Sequence, residues 1–263
     1  TPLYSSAASD VYKRQEKSKD LVRMAVAKAR LLNPLQKRAV PIVKSALVIG
    51  GGLSGMTSAI ELANQGFDVY LVEKEKELGG NLRHINYLIS GENPQDKLKS
   101  LVEQVKKEKK IHLYTDAKIE KIEGTIGNFK TKITTEGKSK EFEHGVVIVA
   151  TGAQQYKPKE YLYGQNDKVI TQLELEQRLG GNGVWSKGAN NGVPKNIVMI
   201  QCVGSRDKER PYCSRICCSE AVKNALKVKE ISPGTNVYVL FRDIRTYGFR
   251  ESYYTKARLQ GVM

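Results

Sequence analysis

Two periodicities of apolar residues run along the chain. Between Glu16 and Leu32, Leu21, Ala25 and Leu32 share one helical face with Met24 beside it, and lysines and arginines fill the rest. Pro34 and Pro41 end that helix, which reads as a packing helix joining an upstream region to the rest of the chain. From Ser45 onward the pattern changes to short apolar runs set between glycine turns and amphipathic stretches. Ser45–Ile49 is a buried strand, Gly50–Gly55 opens a helix reaching about Gln65, and Gly66 suits its C-terminus. Asp68–Val72 is a second buried strand. A polar helix over Pro94–Lys109 comes next, then strand-like runs at Ile111–Tyr114, Ala117–Ile122, Lys130–Thr135 and Glu141–His144. Val146–Val149 is another strand and runs into Ala150-Thr151-Gly152. After a glycine- and asparagine-rich connection, Gly180–Gly192, a second βαβ begins: strand Asn196–Gln201, a cysteine-bearing loop, helix Cys218–Lys229 and strand Asn236–Phe241. Strands alternating with helices predict an α/β fold built on parallel strands.

With 263 residues and 40% hydrophobic composition the chain can bury a core. No apolar run approaches the ~20 residues of a membrane span, so none is expected. The first residues are polar, and no secretory signal is read there. Asp10-Val-Tyr-Lys-Arg-Gln15 looks like the translated end of a transposase adapter used in sequencing libraries, so residues 1–15 are expected to be foreign to the fold. The far end stops where another strand would begin, and the chain reads as an internal piece of a longer protein. The expected organisation is residues 1–15 as adapter, 16–44 as linker helix, 45–180 as a nucleotide-binding domain and 181–263 as a second βαβ domain cut short. The formal net charge is +15. The lysines are scattered, with no aromatic–basic recognition motif and no zinc-finger spacing. The charge therefore reads as a lysine-rich surface, or one shaped for an acidic redox partner, and not as a nucleic-acid footprint.

Gly50-x-Gly52-x-x-Gly55 follows a buried strand and opens a helix, and Glu73 closes the next strand ~20 residues on, as a dinucleotide site requires. Gly50 permits the tight turn, Gly51 and Gly52 let backbone approach a pyrophosphate, and Gly55 lets helix and strand pack closely. Leu53 and Ser54 begin the helix whose free N–H groups and dipole favour phosphate. Glu73 can accept from ribose hydroxyls. Lys74 and then Gly79, Gly80 and Asn81 come after it. With Ile119 and the later Ala150-Thr151-Gly152, this spacing resembles the FAD-binding form of the fold seen in glutathione- and thioredoxin-reductase-type enzymes.

The only four cysteines, Cys202, Cys213, Cys217 and Cys218, form a C-x10-C-x3-C-C pattern. Four clustered thiols argue for a reducing compartment and a metal or redox site rather than a secreted disulfide framework. An iron–sulfur cluster, a structural zinc and a redox disulfide all stand open. The adjacent Cys217-Cys218 pair suits zinc knuckles poorly, and Arg206, Arg210 and Arg215 would offset thiolate charge. In disulfide reductases a second βαβ carries a second glycine motif for NAD(P)H. Here only Gly204 remains in that turn, so NAD(P)H is not expected. His84, His112 and His144 fit no ligand spacing with the cysteines and read as structural or surface residues.

Asp20–Ala29, Ser45–Glu73, Ile126–Phe129, Cys202–Asp207, Pro211–Cys218, Asp243–Gly248 and Tyr253–Arg258 together resemble the A subunit of heterodisulfide reductase, the iron–sulfur flavoprotein of methanogens and many anaerobic bacteria. The resemblance implies one FAD, a [4Fe–4S] cluster on the four cysteines, and a cytoplasmic complex with other electron-carrying subunits. Those would be heterodisulfide reductase B- and C-like proteins, linked to a hydrogenase or formate dehydrogenase, with ferredoxin as a further partner. In the family the flavin takes electron pairs and passes them on singly, in some members by bifurcation. Full-length members carry further cysteines and a final FAD segment that this stretch does not contain. Within this reading Lys223, about one and a half helical turns beyond Cys218, is expected to face the flavin, with Glu174 as its partner. Two competing readings are an NAD(P)H-dependent flavin disulfide oxidoreductase and a non-catalytic metal-binding interaction module.

Overall fold

A computed structural model describes residues 3–34, 39–181, 183–185 and 192–263. Helix α1 (Leu3–Leu31) belongs to a unit of its own, Thr1–Pro41. It starts well before the expected Glu16 and runs through the Asp10–Gln15 stretch. The i,i+3 ion pairs Glu16–Lys19 and Asp20–Arg23 lie on its surface.

The second unit, Ile42–Met263, holds everything else. Its elements are β1 (Ser45–Ile49), α2 (Leu53–Asn64), β2 (Asp68–Val72), a 3-10 turn at Gly80–His84, α3 (Gln95–Lys107), β3 (Ile111–Tyr114), β4 (Ala117–Thr125), β5 (Asn128–Thr135), β6 (Lys138–His144), β7 (Val146–Val149), α4 (Gln172–Leu179), β8 (Asn196–Ile200), α5 (Cys217–Ile231), β9 (Asn236–Leu240) and α6 (Glu251–Leu259). β3, β2, β1 and β7 form a parallel four-stranded sheet in that order, with Ser45 opposite Asp68 and Ala46 opposite Val146.

Successive residues of a strand point to opposite faces, and β1 shows why its run is apolar throughout. Val48 packs with Met56, Ile60, Leu71, Leu101 and Val105 under α2 and α3. Leu47 packs with Val72, Ala117, Ile133 and Phe142 under the antiparallel meander β4–β5–β6. Phe142 stacks on Tyr70 at 4.1 Å, and His144 is fully buried with Nε2 2.7 Å from Thr131 Oγ1. Burial holds the His144 imidazole below its ordinary pKa, which fits a structural histidine.

The second βαβ pairs β8 with β9 in parallel, and α5 covers one face of the pair. Its core joins Met199, Ala221, Ala225, Val228 and Val237 to Leu175 and Leu179 of α4 and to Tyr87, which reaches across from the segment before α3. Helix α4 thus packs with residues beyond Gly180, and a domain boundary at that glycine cuts through this core. Much of the Gly180–Gly192 connection lies outside the described residues. α4 and α6 are additions to the sequence reading. Leu47 is completely buried between two layers, so Leu47→Ala is expected to cost about 3 kcal/mol of stability in a urea titration of the whole chain.

Candidate functional site

The glycine turn between β1 and α2 sits at the carboxyl end of the four-stranded sheet, where α/β folds place their ligands. Gly50 adopts φ +105°, a left-handed conformation that disfavours side chains, and a Cβ there would lie 2.4 Å from the Ala150 carbonyl oxygen. A Cβ on Gly55 would collide with the Gly50 carbonyl oxygen at 1.8 Å, so the helix can approach the turn only as glycine. Gly52 differs: a Cβ there meets no protein atom within 4 Å. Gly52 is also the N-cap of α2 and supplies no side-chain cap, which leaves the first-turn N–H groups, including those of exposed Leu53 and Ser54, aimed at open space.

The other predicted residues close around this opening. The Glu73 carboxylate accepts from the Gly51 N–H at 2.6 Å and from the Glu75 N–H at 2.8 Å. Each oxygen keeps a lone pair for a further donor. Gly79 donates its N–H to the Gly51 carbonyl at 2.8 Å and bridges to Gly52, and Gly80 lies beside it. Asn81 Nδ2 donates to the Ala153 carbonyl at 2.8 Å, which ties this pair to the exposed Thr151 and Gly152 beyond β7. Lys74 is exposed at the same end of β2. Ile119 is a partial exception, because its side chain packs against the core under the meander. The residues present therefore fit a dinucleotide: glycine backbone, uncapped helix N–H groups and a ribose-type carboxylate around an open cradle.

Helix α5 carries the rest of the chemistry. Cys218 is buried, Cys202, Cys213 and Cys217 are half-buried, and all four are free thiols. Burial raises the Cys218 thiol above its ordinary pKa, and Cys217 and Cys202 are close enough to add to that rise. The Cys218 Sγ lies 3.8 Å from the Asp243 carbonyl, and the Arg215 N–H points to Cys213 Sγ at 3.3 Å. Among the described residues no three His, Cys, Asp or Glu side chains are drawn closely enough together to hold a metal ion as they stand. The fit to a metal centre rests on the donor set of four free thiols on one loop and helix.

Two expectations are corrected. Glu174 does not pair with Lys223. It is the third residue of a capping box, accepting from the Thr171 backbone N–H at 2.7 Å and from the Tyr163 hydroxyl at 3.0 Å. Burial acts to raise the Glu174 carboxyl, but the two Thr171 donors and Tyr163 hold it below its ordinary range. The partners of Lys223 are Glu176 at 2.7 Å and Glu220 at 3.0 Å, with the Tyr87 ring 4.9 Å from its ammonium. Lys223 is thus enclosed in the second core and does not reach the glycine cradle. Sequence reasoning misses Glu176, Glu220, Tyr87 and Asn224. The available signal is the i,i+3 spacing of Glu220 and Lys223 on one helix.

The pattern of the pyridine nucleotide-disulphide oxidoreductase family matches residues 44–188, more than half of the chain. The chain belongs to that family and is an oxidoreductase by class. Among curated relatives, the A subunit of the H(2):CoB-CoM heterodisulfide,ferredoxin reductase of Methanothermobacter thermautotrophicus is 32% identical over 335 aligned positions, covering 94% of this chain and 51% of the relative. The second iron-sulfur A subunit of the CoB--CoM heterodisulfide reductase of Methanopyrus kandleri is 31% identical, covering 95% of this chain and 52% of the relative. The resemblance to the A subunit of heterodisulfide reductase is borne out. The chain spans about half the length of these relatives. The 335 aligned positions exceed the 263 residues of the chain, so the relatives carry residues inside the matched stretch that have no counterpart here. Among solved structures, thioredoxin reductase of Lactococcus lactis superposes with a TM-score of 0.51 at 18% identity, over 81% of this chain and 61% of that one, which is a likeness of fold.

Lys223→Met leaves two buried carboxylates facing each other and is expected to cost about 4 kcal/mol in chemical denaturation. A second expectation concerns pH. Burial first, and then the hydrogen bond with Glu176, lift the Glu220 carboxyl from 4.5 to about 7. Folding therefore favours its protonated form. That stability is complete below the ordinary carboxylate range and is lost as pH rises through about 7. The melting temperature should fall between pH 5 and 8 in the wild type, and less so in Glu220→Gln.

Proposed function

We propose that the chain is the FAD-binding, [4Fe–4S]-carrying electron-transfer portion of a protein like the A subunit of heterodisulfide reductase. The observation that carries the reading is the open cradle over Gly52, with Glu73, Gly79–Gly80 and Ala150–Gly152 gathered at one end of one sheet. FAD would be held by Gly50–Gly55, Glu73, Gly79, Gly80, Asn81 and Thr151–Gly152. A bound flavin supplies the exchange of an electron pair for single electrons. The cluster would be held by Cys202, Cys213, Cys217 and Cys218. The protein's own contribution is to orient these groups, exclude water and set local charge.

Clustered free thiols support a reducing, cytoplasmic setting. Among the described residues no helix is long and apolar enough to cross a membrane. The names of the relatives support partners of the heterodisulfide reductase B and C kind within a larger electron-transfer complex, with ferredoxin among the acceptors. An NAD(P)H-dependent disulfide reductase is the weaker reading. A Cβ on Gly204, the remaining glycine of the second turn, would meet the Tyr156 ring at 2.2 Å, so the place of a second pyrophosphate is filled by protein.

Anaerobic purification with absorption, iron, sulfide and zinc analysis tests the reading. Flavin bands with about four irons and four sulfides per chain are expected, and Cys218→Ala should remove the cluster absorption and leave the flavin. Zinc in place of iron would overturn the cluster assignment. Because a side chain at Gly52 meets only open space, Gly52→Val should abolish flavin binding while the flavin-free chain melts within a degree or two of wild type, on the scale of a surface change. Gly55→Val should unfold it.

A further inference from the structure

Where β9 ends, the chain turns through Asp243, and this residue touches the cysteine site from several sides. Its backbone carbonyl lies 3.8 Å from Cys218 Sγ. Its carboxylate accepts from Arg206 on one oxygen and from Arg245 Nε at 3.0 Å on the other. Each guanidinium in turn lies within hydrogen-bonding reach of a different thiol, Arg206 with Cys202 and Arg245 with Cys213. Arg242 braces the arrangement by donating to the Arg206 carbonyl at 2.6 Å.

The backbone is shaped to hold this geometry. Cys202, Arg206 and Arg215 all sit at left-handed φ, 62°, 58° and 62°, although none is glycine. Such conformations cost roughly 1 kcal/mol or more each and persist only where surrounding contacts impose them. Of the three arginines that the sequence marks out near the thiols, the carboxylate holds only Arg206. Arg210 lies over the Tyr156 ring at 4.3 Å, and Arg215 is exposed. Arg245, from the far side of the loop, is the second member of the pair.

We propose that Asp243 is a positioning residue for the four-cysteine centre: it aims two guanidiniums, Arg206 and Arg245, at two of the four thiol sulfurs and so sets the positive charge that the centre meets. The proposal rests on the reading of these cysteines as one centre, but the contacts involve only residues of this chain. Two guanidiniums carry +2 against the −1 of the carboxylate that holds them. While they stay aimed at the sulfurs, the site favours negative charge there. Removing the carboxylate can act in two opposite ways. If Asp243 only adds negative charge, its loss makes the sulfurs more anionic. If Asp243 positions the arginines, its loss releases them and the sulfurs become less anionic.

The test reads that sign on the whole chain, reduced and stripped of metal with a chelator. The rate of iodoacetamide alkylation is measured at each cysteine by mass spectrometry at neutral pH. Asp243→Asn is expected to slow Cys202 and Cys213 severalfold, and Asp243→Glu to recover most of the loss. Arg206→Gln should slow Cys202 more than Cys213, and Arg245→Gln the reverse. Faster or unchanged alkylation in Asp243→Asn would overturn the proposal, and so would equal slowing of both thiols in each arginine variant. Should Asp243→Asn fail to fold by circular dichroism, the two arginine variants decide alone. The iron, sulfide and zinc content of the untreated wild type is determined in parallel. A wild type without metal refutes the cluster reading and leaves the alkylation result standing on its own.

Discussion

A lysine buried between two carboxylates joins the two halves of the second unit. Lys223 on α5 meets Glu176 on α4 and Glu220 on its own helix, and each of these side chains is mostly or wholly out of water. Glu176 also accepts the Asn86 N–H at 2.8 Å, and the Tyr87 hydroxyl donates to Asn224 Oδ1 at 2.7 Å. Asn86 and Tyr87 come from the glycine-motif half of the unit, whereas Lys223 and Asn224 belong to the cysteine-bearing helix. Desolvating one such ion costs several kcal/mol, so the network is tolerable only because nearly every lone pair and proton has a partner. Burial, together with Glu176, Glu220 and Glu230, keeps the Tyr87 hydroxyl protonated far above the ordinary phenol range, so it serves steadily as a donor. The spacing of the glycine cradle from the thiols depends on this junction, since α5 is held to the Asn86–Tyr87 segment through it.

How much is legible in the sequence depends on which signals are local. β1, β2, β3 and β7 are short apolar runs bounded by glycine or charge, and their predicted limits agree with those observed. The glycine cradle is legible because each motif residue has a backbone reason to be glycine that survives without knowledge of the rest. The meander strands are predicted too short, because exposed edge strands such as β6 alternate weakly and hide their ends. α4 escapes prediction although Thr171 and Glu174 spell a capping box, because the same Glu174 reads as a partner for Lys223. The true partner lies two residues on, across a helix–helix contact that no spacing rule encodes. Asp243 and Arg245 stand in a segment that carries the family resemblance, but their bearing on Cys218 and Cys213 depends on how β9 returns beside the loop, which is a tertiary fact.

The cysteine loop is held by polar contacts and strained backbone more than by packing. Its neighbours Tyr212, Ile216, Phe241, Tyr247 and Phe249 are exposed, and Phe249 almost fully so at 99%. In the glycine half, by contrast, both faces of the sheet are covered. A loop with few buried apolar contacts opens easily, which suits a site that must admit a metal or a redox partner and then close on it.

The two strand–turn–helix starts show how one scaffold came to carry two chemistries. In the first, three glycines separate β1 from α2, so the helix N-terminus faces the end of the strand and its uncapped N–H groups converge over Gly52. In the second, the chain runs from β8 through residues 201–216 before α5 begins at Cys217. That longer loop moves the helix dipole away from the strand end, and Tyr156, itself covered by Arg210, fills the space beside Gly204. A pyrophosphate needs backbone alone at the turn and a helix end directly behind it; thiolates need side chains at the turn and cations around them. Residues 201–216 supply the second set by giving up the first, and the arginines gathered on Asp243 stand where phosphate-binding N–H groups would otherwise have been required.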